Sequence, residues 1–175
     1  ASPSHWPARD ERVPLRSLSF PNANGISATG RQTVDTEKMN VDNLPSLTPL
    51  PREFFSSRDA LALAPALLGC LLVRPRDGIV ARITETEAYM GQGDPACHAN
   101  QGRCTPRTRV MFSPGGVYYV YFTYGMYHCL NIVSGAEGSG EAVLIRAVEI
   151  LQGRDVASMR RFSMPYQMLS AARKK

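Results

Sequence analysis

Two glutamates one residue apart, Glu85 and Glu87, close the apolar segment "IVARITETEAY", and one arginine, Arg146, interrupts the apolar segment "VLIRAV". Side chains alternate faces along a strand, so Ile79, Ala81, Ile83, Glu85, Glu87 and Tyr89 are expected to share one face, which begins in a core and ends in acid. At about 3.3 Å per residue the two carboxylates stand roughly 6.6 Å apart, close enough for each to feel the other's charge. A carboxylate at the rim of a core that stays ionised can take a proton from water as a general base. The spacing alone equally allows both acids to be solvated or to pair with arginines. Arg146 in an apolar strand must be satisfied inside the fold or aimed at a ligand, and the same alternatives hold for Asn131 in "CLNIV".

Five of the seven tyrosines, Tyr118, Tyr119, Tyr121, Tyr124 and Tyr127, fall within ten residues. A period of two puts Tyr119 and Tyr121 on one face and Tyr118, Val120 and Phe122 on the other, and Gly125 marks a turn with Tyr124 at its tip. A ring on an exposed tip can act as a wedge between stacked bases, and rings on an inward face can stack on a base turned out of the duplex. Ordinary sheet packing is the competing explanation, because Tyr and Phe favour strands.

Charge sorts along the chain. Of 20 Lys+Arg and 15 Asp+Glu, residues 1–50 hold five of each, so the net +5 belongs to residues 51–175. A basic folded part suits a polyanionic partner such as nucleic acid. Arg103, Arg107 and Arg109, with His98, are candidate phosphate contacts, or simply a solvated basic loop. The four cysteines form no C-x-x-C pair, and Cys97, His98, Cys104 and His128 match no zinc spacing, so no metal is expected. No apolar run is long enough for a membrane helix, and the N-terminal stretch lacks the continuous apolar core of a secretory signal.

The elements that must hold these residues are short. Residues 1–50 contain six of the thirteen prolines and no sustained period, which predicts a disordered extension. "ALALAPALLG" reads as a helix with Pro65 in its first turn and Gly69 as its stop, "CLLVRP" as a strand, and "RDG" as a turn. Residues 90–116 form a long polar connection, followed by the aromatic hairpin, the strand "EAVLIRAVEI" and a helix around "LQGRDVASMRRF". The fold class expected is α+β: a single domain with a curved antiparallel sheet, short helices and a protruding β-hairpin.

Taken together, "LLGCLLVR", "RITETEAYMG", "CHANQGRCTPRTRVMF", "GGVYYVYFTYGMYHCLNIV" and "EAVLIRAVE" resemble the alkyladenine (3-methyladenine) DNA glycosylase family over residues 51–163. The resemblance implies base-excision repair: hydrolysis of the N-glycosidic bond of alkylated or deaminated purines such as 3-methyladenine, 7-methylguanine and hypoxanthine. By position it makes Glu87 the general base for water and Arg146 the residue holding that water together with the main chain near His98. It makes Tyr89, His98 and Tyr121 the rings around the flipped base, Tyr124 the intercalating ring, and Asn131 the residue that rejects the 2-amino group of guanine. Glu85 receives no role. The implied partner is double-stranded DNA containing damaged purines, met by a monomer with no cofactor and no membrane. The implied compartment is the nucleus in a eukaryote, with an organelle as a further alternative, and otherwise the cytoplasm. The family's later Gly-Pro-x-Lys-Leu segment is not found, and residues 164–175 read as a divergent tail, so an inactive or unstable product that at most binds DNA is the second reading.

Overall fold

The computed structural model describes residues 18–20 and 48–174. Seven strands form one antiparallel sheet: β1 (Leu18–Phe20), β2 (Thr48–Pro49), β3 (Leu71–Arg74), β4 (Ile79–Tyr89), β5 (Tyr118–Thr123), β6 (Tyr127–Ser134) and β7 (Glu141–Gln152), in the order β2-β1-β3-β4-β7-β6-β5. Three short helices accompany it, α1 (Arg52–Ser56), α2 (Ala60–Leu67) and α3 (Arg154–Phe162). This is the α+β architecture expected, hairpin included. Of the expected N-terminal extension, residues 18–20 supply β1 and residues 48–50 the start of the continuous fold; the remainder lies outside the described residues.

Each face of the sheet is covered by something different. Under α1 and α2, Phe55, Leu63 and Leu67 pack with Ile83, Ile132 and Val143 of the central strands. On the other face the connection 90–117 supplies Cys97, Ala99 and Met111, which pack on Tyr119, Val133 and Ala142. Neighbours Ile132/Val133 and Ala142/Val143 therefore divide between two cores, as strand alternation demands.

Helix α2 starts earlier than its proline suggests. Asp59 caps it by accepting from Ala62 N at 2.7 Å, and a second acid, Glu141 of β7, accepts from Ala60 N at 2.7 Å. Pro65 thus lies beyond the first turn, not within it as its sequence position implied. Gly69, at φ +85°, ends the turn as expected. The final described residues fold back on α3: Ser158 donates to the Met164 carbonyl at 2.6 Å, and Asp155 accepts from Tyr166 N at 3.0 Å.

The largest departure from simple alternation is in β4. Its pairing with β7 slips between Ile83 and Glu85, and again between Glu85 and Thr86. The first slip leaves Thr84 unpaired on β4 and the second leaves Arg146 unpaired on β7, two bulges that compensate each other's register. Beyond Thr84 the faces exchange. Ile83 and Ala88 pack in the core under α2, and Thr86 Oγ1 donates to the Ala64 carbonyl of that helix at 2.9 Å. Glu85, Glu87 and Tyr89 therefore face away from α2. The expectation that Ile83 and the two acids share a face is corrected by one extra residue.

Candidate active site

Four elements meet at the end of β4. Tyr89 comes from β4, Tyr119 and Tyr121 from β5, and Ala96, Cys97, His98 and Met111 from the covering connection, with Asn131 of β6 completing the wall. They line an open hollow on the face away from α2. Inside it the rings form a cluster. His98 Nδ1 lies 2.9 Å from the Tyr119 hydroxyl, its ring centroid stands 4.7 Å from that of Tyr121 at 68°, and Tyr119 and Tyr121 are 5.3 Å apart.

The connection holds His98 by local hydrogen bonds rather than by regular structure. Asp94 accepts from Met90 N and Ala96 N, and Thr108 Oγ1 donates to the Arg103 carbonyl at 2.7 Å while accepting from Thr105 N. Thr108 is buried, so the segment "RCTPRTR" is knotted around it. Arg107 rests over the Tyr121 ring at 5.1 Å while remaining exposed, as do Arg103 and Arg109. Burial, and second the Arg107 cation, hold His98 below the usual imidazole range. Tyr119 and Tyr121 are pushed up by burial, and Tyr89 reaches about 12 through burial and then the Glu87 carboxylate. The rings are neutral hydrogen-bonding groups at physiological pH.

Asn131 is buried, and its amide donates to the Tyr119 carbonyl at 3.1 Å. Outside the hollow, Arg146 Nε donates to Glu85 Oε1 at 2.8 Å and its Nη1 to Glu87 Oε2. The Glu87 side chain is 38% exposed and Arg146 47% exposed, so both are open to a partner from solution. Burial of neither acid explains their presence; the arginine between them does.

Tyr124 stands at the hairpin tip, 86% exposed, with φ +52° followed by Gly125 at +68°. Left-handed backbone at both central positions is what type I′ hairpin turns require and what a bulky residue resists. Cys97 is buried with its thiol toward the Gly140 carbonyl, and His128 lies against Phe122. Among the described residues no three or more His, Cys, Asp or Glu side chains are gathered as a ligand set.

The structure thus brings Tyr89, His98, Tyr121 and Asn131 into one hollow and puts Glu87 and Arg146 beside it, while of the loop arginines Arg107 rests over Tyr121 and Tyr124 stands at the hairpin tip. Sequence reasoning missed Tyr119, Asp94 and Thr108. Tyr119 was legible as the face-mate of Tyr121, while the roles of Asp94 and Thr108 depend on loop geometry that no periodicity reports.

The profile of the methylpurine-DNA glycosylase (MPG) family matches residues 53–172, well over half of the chain and every element just described except β1, β2 and the first residue of α1. The chain belongs to this family. Similar curated proteins bear the provisional name 3-methyladenine DNA glycosylase. One from Clostridium botulinum (strain Alaska E43 / Type E3) is 50% identical over 128 residues, 72% of this chain and 63% of that protein. One from Streptomyces avermitilis is 55% identical over 121 residues, 68% of this chain and 56% of the relative. A third, from Myxococcus xanthus, is 57% identical over 106 residues, 59% and 54% of the two chains. The chain spans somewhat over half the length of these relatives, and within the family its matched region contains the whole hollow.

Proposed function

We propose that this methylpurine-DNA glycosylase family member hydrolyses the N-glycosidic bond of alkylated or deaminated purines in duplex DNA, acting as a monomer in base-excision repair. The observation that carries the reading is a carboxylate, Glu87, tied to a guanidinium beside an open hollow lined by the rings of Tyr89, His98, Tyr119 and Tyr121. The relatives' names point the same way.

In this mechanism Tyr124 enters the duplex as one nucleotide turns out, and the extruded purine stacks among the rings. Asn131 crowds the edge where guanine has its 2-amino group. Glu87 takes a proton from a water held with Arg146; the water oxygen bonds to C1′ as the C1′–N bond breaks, and the bonding pair leaves with the purine. Positive charge that develops on the sugar is stabilised by the same carboxylate. A purine alkylated at N3 or N7 is cationic and departs as a neutral base, whereas hypoxanthine must gain a proton as it leaves. Arg103, Arg107 and Arg109 hold phosphates around the site.

The test is base release. Duplexes containing hypoxanthine, and separately methylated DNA, are incubated with the 175-residue chain, and free purine is measured across pH. The reading expects release of both classes, with hypoxanthine release falling more steeply as pH rises. No release of either class overturns it.

A further inference from the structure

The feature of the site that the proposed mechanism leaves unused is Glu85. Arg146 occupies the β7 bulge, where pairing passes from Thr86↔Ile145 to Glu85↔Ala147 without it. Its side chain leaves the sheet at a point where no ladder fixes its direction, and at 47% exposure packing does not hold it either. Two hydrogen bonds do: Nε to Glu85 Oε1 at 2.8 Å and Nη1 to Glu87 Oε2. An arginine with a single carboxylate partner favours the two-pronged arrangement in which parallel N–H groups take both oxygens. With Glu85 fixing the rotation of the guanidinium through Nε, the contact to Glu87 is made by Nη1 alone.

We propose that Glu85 is a positioning residue of this site: by taking Arg146 Nε it holds the guanidinium so that only one oxygen of Glu87 is engaged, leaving the other for the attacking water. The inference rests on the reading of Glu87 as the general base. It also gives a use to the two compensating bulges. The bulge at Thr84 turns Glu85 and Glu87, which alternation already sets on one side, away from α2, and the bulge at Arg146 leaves the arginine outside the ladder and facing them. Without Glu85 the guanidinium is free to rotate and chelate both oxygens of Glu87, which competes with water for the base.

Single-turnover hypoxanthine release is measured for the wild-type chain, Glu85→Ala, Glu85→Gln, Arg146→Ala and the Glu85→Ala/Arg146→Ala double variant. The expected result for Glu85→Ala is a maximal rate lower by about 10- to 100-fold with an unchanged half-saturating enzyme concentration. Glu85→Gln recovers most of that loss, since its amide oxygen still accepts from Nε. In the Arg146→Ala background, Glu85→Ala costs nothing further. A wild-type rate in Glu85→Ala, or the same fold-loss in both backgrounds, overturns the proposal. A second readout separates it from the glycosylase reading: the Arg146 Nε–H proton, followed by NMR, should exchange with water slowly in the wild type and faster in Glu85→Ala. If the wild type releases no base, the glycosylase reading falls while the clamp is judged by this exchange alone, and equal exchange rates in the two proteins overturn it.

Discussion

Tyr124 combines a solvent-exposed ring with a left-handed backbone that a bulky residue resists. Asn before Gly is the favoured pair for this kind of turn. Tyr124→Asn is therefore expected to stabilise the folded chain by about 0.5–1 kcal/mol while lowering base release, which thermal unfolding and an excision assay check together. A less stable variant would show that the turn is not strained by Tyr124, and one that excises at the wild-type rate would remove the ring's assigned use. His98 makes a separate prediction. Its folded-state pKa is lowered, so its neutral form is favoured by folding, and the stability it contributes is present above about pH 6.5 and is lost as pH falls. Denaturant titrations should show stability declining from pH 7 toward pH 5, with a shallower decline in His98→Gln.

At the scale of elements, one unpaired residue sits where the site begins. Thr84 re-phases β4, so that Ile83 and Ala88 face α2 and the two glutamates face the arginine. Deleting Thr84 sets Ile83 directly before Glu85, which alternation already places on opposite faces, so the carboxylates keep facing away from α2 and the strand loses only its bulge. Thr84→Val, which keeps the residue count at an exposed position, should stay within about 0.5 kcal/mol, and urea unfolding checks it. The same strand shows what a sequence can and cannot disclose. The hairpin was legible because alternation and Gly125 are local signals, and so were the turn at Gly78 and the helix stop at Gly69. The bulges were not, because they arise from pairing between β4 and a strand sixty residues away, and Thr84 is a normal strand residue by type. The rings of the hollow were found individually. Their convergence depended on how the connection 90–117 folds over the sheet, which is fixed by Asp94 and the Thr105–Thr108 knot rather than by any repeat.

For the whole molecule, the excess of positive charge lies in residues 51–175, and the exposed Arg107 of the connection rests over Tyr121 of the hollow. Binding to undamaged duplex should therefore weaken linearly in log–log salt titrations, and Arg103→Ala should lower the magnitude of that slope by about 0.9 if its guanidinium meets a phosphate. An unchanged slope would return Arg103 to the solvated loop that its sequence equally allowed. No helix among the described residues is long and apolar enough to cross a membrane. Under the proposed function, the sheet carries the water-activating pair, the loop closes the base hollow and the hairpin opens the duplex. Its central claim is that Glu87 activates the water. The most direct measurement is single-turnover release of hypoxanthine from a duplex by the wild-type chain and by Glu87→Gln, with thermal unfolding of both. The account predicts matched unfolding and a rate in Glu87→Gln lower by at least about 100-fold; equal rates from two equally folded proteins would contradict it.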